Sequence, residues 1–138
     1  MVVGRPLLPE LGKVMDSLQI CAPRPPQAAL AWGIDGLAAW RAANRDQISD
    51  RAAVFRAALD ALPGWRLDAL GAYFAYLRHP LGDTPSAIVA ERLVKERGVL
   101  CLPGDCFGAG QDGHLRFAFA NTGAEALGAL SGRLAGFA

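Results

Sequence analysis

The sequence predicts an α+β domain: a small mixed or antiparallel sheet of three to four strands, covered by helices and preceded by helical segments. Two observations carry this expectation. Ile48, Ala52, Phe55, Leu59 and Leu62 step by four, three, four and three, the apolar stripe of one long helix. Downstream, short apolar runs alternate with helix-start and helix-stop signals, so strands and helices interleave. Short strands that bury one face under helices make a two-layer domain.

The elements follow in order. Leu8, Leu11, Met15 and Leu18 recur at helical spacing and predict a helix over 7–18, after a strand end or loose terminus at 1–6. Pro23, Pro25 and Pro26 predict an irregular crossing over 20–26, with a short helix restarting over 27–32. Asp35 is placed to cap a helix through Trp40, and Asn44 with Gln47 resembles a capping box opening the long striped helix. The opposite face of that helix carries Arg45, Asp46, Asp50, Arg56 and Asp60, a solvated surface. Pro63-Gly64 ends it.

Strands are predicted over 65–67 and, more strongly, over 71–77, where Tyr73, Phe74 and Tyr76 gather. Thr84-Pro85 reads as a cap followed by proline in the first helical position, opening a helix that Gly98 stops. Further strands are expected over 99–102 and 115–120. Thr122 and Glu125 form a second capping box, before a last helix with Leu127, Leu130, Leu134 and Phe137 on one side.

Composition excludes several classes of function. At 138 residues the chain can bury a real core, and 52% hydrophobic with 20% charged residues is an ordinary globular balance. A net charge of +1, with no basic run, gives no footprint for nucleic acid or an anionic membrane. No apolar run is long enough to span a bilayer. Neither nucleic acid nor membrane is therefore an expected partner. Cys21, Cys101 and Cys106 lack paired spacing, and an odd count without a signal-peptide pattern fits a reducing, cytoplasmic setting. Cys101 and Cys106 with His114 make a poor zinc pattern, so no metal is expected.

Arg116 is the residue best placed for chemistry. Alternation along a strand gives Leu115, Phe117 and Phe119 one face and Arg116, Ala118 and Ala120 the other. Small alanines leave room above the arginine, whose guanidinium fork suits a carboxylate. The same pattern also describes a solvated arginine on an outer sheet face. Gly104, Gly108 and Gly110 lack the spacing of a phosphate cradle and read as turn residues. Tyr73 and Tyr76 read as facing away from Phe74. His79 and His114 have no serine or cysteine motif nearby, and no hydrolytic triad is signalled.

The stretch from Val99 through Pro103-Gly104 and Phe107-Gly108, then His114 through Arg116 to Ala120-Asn121, resembles the C-terminal small domain of class I/II aminotransferases, pyridoxal-phosphate enzymes of fold type I. Arg97-Gly98, Gly71-Ala72-Tyr73-Phe74 and the segment from Asp16 to Pro23 with Gln27 resemble the family in the same order. The resemblance implies an interdomain helix and crossing over 1–26 and the small domain over 27–138. It implies that Arg116 grips the substrate α-carboxylate, that Phe107 and Tyr73 shape the side-chain pocket, and that the partners are an amino acid and a 2-oxo acid. A homodimer is also implied. The cofactor implied for the intact enzyme is pyridoxal phosphate, whose Schiff-base lysine, pyridine-binding aspartate and phosphate-cup residues belong upstream of the matched stretch.

Neither lysine of this chain, Lys13 or Lys95, has the expected setting for that lysine, and Arg5 does not take the phosphate-binding role. The expectation is thus a C-terminal portion of an aminotransferase, inactive as a lone chain. The alternative is a non-catalytic module that associates through an apolar face.

Overall fold

Four short strands make one antiparallel sheet in the order β1-β2-β4-β3 in the computed structural model, which describes residues 4–18 and 21–137. Strands β1 (Arg66–Gly71) and β2 (Phe74–Arg78) form a hairpin, and β4 (His114–Phe117) lies between β2 and the short edge strand β3 (Leu102–Pro103). Leu77, Leu115 and Phe117 point to the helix-covered face and are buried, as period-two alternation requires. The α+β layer expected from sequence is the observed one.

The chain divides into two compact units, Met1–Ala43 and Asn44–Ala138. In the first, a 3-10 turn at Arg5–Leu7 leads into α1 (Leu8–Leu18), followed by α2 (Arg24–Gly36). Neither helix buries a residue, and Trp32 is 66% exposed. The crossing expected over 20–26 is shorter than proposed: α2 already begins at Arg24, with prolines in its first turn. A first-turn N–H has no partner inside a helix, so proline there removes no bond. Residues 1–3 and 19–20, included in the expected terminus and crossing, lie outside the described residues.

Asp35 lies inside the last turn of α2 instead of at a helix start, and helix α3 (Ala38–Asp60) is continuous, so Asn44 lies inside it. The capping signals lose to a segment rich in strong helix formers, with Ala38, Ala39, Arg41, Ala42 and Ala43 directly before Asn44. Within the second unit, the stripe behaves as predicted: Phe55, Leu59 and Leu62 are buried, and Ile48 and Ala52 pack against the core. The Phe55 ring meets those of Phe117 at 6.0 Å and Phe119 at 5.9 Å, joining α3 to the sheet.

Helix α4 (Ser86–Arg97) contributes Val89 and Leu93 to the same core. Pro85 is its N-cap rather than its first helical residue. Gly98 closes it in the left-handed conformation at φ 62°. The last helix is two: α5 (Ala124–Gly128) and α6 (Leu130–Leu134), with Leu127, Leu130, Leu134 and Phe137 buried. Gly123, not Thr122, is the N-cap of α5, and no side-chain cap bond forms.

Two of the expected strands are shorter. The extended run 99–102 pairs only at Leu102–Pro103, and β4 gives way after Phe117 to a 3-10 turn at Phe119–Asn121. The strand expected over 71–77 instead starts at Phe74, because Ala72 and Tyr73 turn the β1–β2 hairpin.

Truncating Phe55→Ala removes the ring that ties α3 to two sheet-side aromatics. The expected loss is about 3–5 kcal/mol of stability, against less than about 0.5 kcal/mol for Asp46→Ala on the exposed face. Urea unfolding of both variants checks the difference.

Candidate functional site: a clamped arginine beside an apolar cavity

Leu115 and Phe117 face the core, which turns Arg116 to the opposite face of the sheet. Two aromatic rings take the room above Arg116, while Ala120, expected on the same face, lies in the 3-10 turn beyond β4 and packs against the core. The Arg116 Cζ lies 4.3 Å from the Phe74 ring centre and 4.5 Å from that of Phe107. Strand β4 sits between β2 and β3, so Phe74 reaches the arginine from one side, and Phe107, in the 3-10 turn Gly104–Phe107 after β3, from the other. Arg116 makes no hydrogen bond or ion pair among the described residues. Its N–H edges are free to meet an anion.

The hairpin turn decides which of the neighbouring rings takes part. Ala72 adopts φ 49°, uncommon for a residue with a Cβ, and Phe74 becomes the first residue of β2. Phe74 and Tyr76 therefore share a face, correcting the expectation that Tyr76 faces away from Phe74. Tyr73 sits in the turn itself, 49% exposed, with its ring edge-on to Phe74 at 6.5 Å. The structure brings together Arg116 and Phe107 but not Tyr73. Phe74 is the residue that sequence reasoning missed, and locating the turn at 72–73 would have found it.

Phe107 is held by what lies behind it. Gly104 is buried, and a Cβ there would meet the Gln111 carbonyl oxygen at 2.2 Å and the His114 carbonyl oxygen at 2.7 Å. Only glycine lets the 3-10 turn press against the loop that enters β4. The Asp105 N–H donates to the Ser86 hydroxyl at 3.3 Å, tying the turn to the start of α4. The Phe107 ring stands edge-on to Tyr76 at 6.3 Å, and the Tyr76 hydroxyl donates to Gln111 Oε1 at 2.8 Å.

An ionic cluster continues from Tyr76. The His114 ring stacks on Tyr76 with centres 4.9 Å apart and planes 6° from parallel. Its Nε2 lies 2.9 Å from Asp68 Oδ2, while Arg66 Nη2 donates to the same oxygen at 3.0 Å. A β-bulge between Leu67 and Ala69 aims Asp68 across the sheet. The hydrogen bond from Arg66 holds the Asp68 carboxyl down at about 2, with His114 adding to the effect. Burial alone pushes the Tyr76 phenol up.

Arg116 and Phe74 open onto a cavity of about 580 Å³. Phe55, Val99, Leu127 and Leu130 make its walls largely apolar, and no acidic residue lines it. A second arginine at the cavity, Arg133, is already engaged: its Nη1 donates to the carbonyls of Arg97 and Gly98, capping the end of α4. Phe107 lies against Arg116 outside the cavity and is 44% exposed. His79 is buried away from it, accepting from the Leu81 N–H and bonded to the Asp112 carbonyl at 3.1 Å. Both nitrogens are satisfied with the hydrogen on Nε2, a structural arrangement. Burial drives the Cys101 thiol up to about 12, so it stays protonated and unreactive.

The model of the family "Aminotransferase class I and II" matches residues 11–134. The chain belongs to this family. Solved aminotransferase structures share its fold. The α-aminoadipate aminotransferase of Thermus thermophilus aligns at a TM-score of 0.71 and 22% identity, over 96% of this chain and 35% of that one. An aminotransferase from Mycobacterium tuberculosis aligns at 0.72 and 20% identity, again over 96% and 35%. A Methanococcus jannaschii protein, described as similar in its active site to kynurenine aminotransferases, aligns at 0.69 and 22% identity over 88% and 32%. No curated protein matches. The chain spans about a third of the length of these structures, from 32% to 35%.

An intact aminotransferase uses pyridoxal phosphate, which is held through a Schiff base to lysine. The described residues of this chain do not make that site. Lys13 pairs with Glu10 at 2.8 Å on α1, Lys95 pairs with Glu91 on α4, and neither lines the cavity. No aspartate lines it either, so a partner for the pyridine nitrogen is also lacking among the described cavity residues.

The depressed Asp68 carboxyl gives the cluster a pH signature. Its ordinary value is 3.8 and its folded value about 2, so the stabilisation is fully present above pH 4 and is lost as pH falls toward 2. The apparent unfolding midpoint of the natural chain should drop more steeply over that window than that of Asp68→Asn. Thermal melts of the two chains between pH 5 and 2 check this.

Proposed function

We propose that the chain is the C-terminal, carboxylate-gripping portion of an aminotransferase that moves an amino group from an amino acid to a 2-oxo acid. One observation carries the reading: Arg116 keeps an unpaired guanidinium at the rim of an apolar cavity. A guanidinium beside apolar walls attracts a carboxylate more strongly than one in open water, and its fork allows two parallel hydrogen bonds. Arg116 is the substrate-carboxylate residue in this proposal. Phe107 borders it, and Tyr73, in the hairpin turn edge-on to Phe74, helps to shape the side-chain pocket in the intact enzyme. Residues 27–138 are the small domain and 1–26 the segment that joins domains.

The remaining cofactor and acid–base machinery then comes from elsewhere in the intact enzyme, which carries pyridoxal phosphate and works in the cytoplasm. The 138-residue chain supplies grip without turnover. Amino-group transfer by this chain with added pyridoxal phosphate would overturn that half of the proposal. For the other half, NMR titration of the chain with 4-methyl-2-oxopentanoate should give saturable shifts at Arg116. Arg116→Gln should weaken binding by about 1.5–3 kcal/mol, or roughly ten- to hundredfold, since a charged hydrogen-bond donor is lost. Arg116→Lys should recover only part, because an ammonium is a point charge without the fork.

A second reading rests on the first unit. Leu18, Leu30, Trp32 and Trp40 are exposed there, with Trp40 at 61%. Large exposed apolar side chains on consecutive helices favour association, here of two copies into a homodimer. Sedimentation equilibrium distinguishes the readings. A dimer that dissociates in Trp32→Glu/Trp40→Glu supports a self-association module, and a monomer at all concentrations excludes it.

A further inference from the structure

We propose that Phe74 and Phe107 are positioning residues that fix the plane of the Arg116 guanidinium for carboxylate capture, with the Tyr76–His114 stack as the backing that holds Phe107 in place. The inference rests on the reading of Arg116 as a carboxylate-gripping residue and adds the device that orients it.

An arginine side chain has several rotatable bonds, and a solvated one spreads its fork over many orientations. Two-point capture of a carboxylate needs one of them. A cation lying over an aromatic face is held by the ring quadrupole, and the guanidinium stacks with its plane along the ring. At 4.3 Å and 4.5 Å, both rings are within stacking range of Arg116. Stacking occupies the faces of the guanidinium and leaves its N–H edges open, so the clamp does not compete with an in-plane anion. It also substitutes for the acidic partner that most partly buried arginines have, which would compete.

The two rings are supported differently. Phe74 is set by β2, where Ala75 pairs with Phe117 and Tyr76 with Arg116. Phe107 lies in a short 3-10 turn, and a turn of that length does not hold an aromatic ring by itself. Tyr76 braces it edge-on, His114 lies flat against Tyr76, and Asp68 fixes His114 from the far strand. Gly104 sets the height of the turn above this stack. Tyr76, His114 and Asp68 all come from strands of the sheet.

Neither ring is a core residue: Phe74 is 38% exposed and Phe107 is 44% exposed. Replacement by leucine therefore keeps apolar bulk and opens no cavity in the core, while removing the quadrupole. This makes an aromatic role separable from a packing role. The experiment uses the full 138-residue chain and follows the Arg116 Nε–Hε resonance, assigned by its loss in Arg116→Lys. The probe is 4-methyl-2-oxopentanoate, and overall amide dispersion reports folding. In the natural chain, ring currents should shield Hε relative to free arginine, and the probe should shift it saturably. Phe107→Leu and Phe74→Leu should each remove part of the shielding and weaken probe binding about two- to fivefold, the size of one exposed cation–π contact. Phe107→Tyr, which keeps the face, should restore both.

If Phe107→Leu binds the probe as tightly as the natural chain, with Hε unmoved, the clamp is overturned while the carboxylate reading stands. If Hε is shielded in the natural chain but no carboxylate shifts it, the carboxylate reading fails. The rings then hold an arginine that captures nothing, which overturns the positioning role for a different and recognisable reason.

Discussion

The site depends on β4 lying in the interior of a four-stranded sheet with neighbours on both sides. Leu115 and Phe117 are both buried, and Leu115 is wholly inaccessible. A strand pinned twice on one face has no freedom on the other, because a one-residue slip would put Arg116 into the core. Antiparallel pairing with β2 and β3 sets the same register from two directions. The position of the guanidinium is thus fixed by apolar burial on the far side of the sheet, and the rings of Phe74 and Phe107 set only its orientation. The separation matters physically. Burial of two large side chains is worth several kcal/mol, whereas one cation–π contact is worth about 0.5–1 kcal/mol.

Much of this was legible in the sequence. The stripe from Ile48 to Leu62 and the alternation from Leu115 through Arg116 to Phe117 each rest on a strong periodicity, and both survive into the structure. The class of fold and the face on which Arg116 lies follow from them. Boundaries were less legible. Asn44 and Gln47 are correctly spaced for a helix start, yet α3 runs through them, because a capping pattern states what a residue can do at an end and not that an end exists. Pro25 and Pro26 are poor helix residues in general and harmless in a first turn.

The aromatic bracket was hidden for a related reason. Tyr73, Phe74 and Tyr76 look like one strand, and only the turn at Ala72 and Tyr73 reveals which rings share a face. Alanine carries no turn signal, and its positive φ is imposed by the pairing of Gly71 with Phe74 across the hairpin. Phe107 lies far along the chain from Tyr76, and no local pattern announces that Tyr76 and His114 will stack. The close approach of Gly104 to the loop before β4 is equally non-local. The glycine can be seen in the sequence, but the backbone it must avoid cannot.

The bulge at Asp68 has a consequence for how the sheet ends. It places an unmatched, charged residue in β1, one of the two edge strands, and bends that strand out of the flat geometry that another strand needs for pairing. The opposite edge is β3, which is two residues long and includes a proline without an N–H to offer. Both borders of the sheet are therefore closed to growth. A further strand has no regular ladder to join on either side, so sheets from separate molecules are kept from merging into a continuous one, even at high concentration.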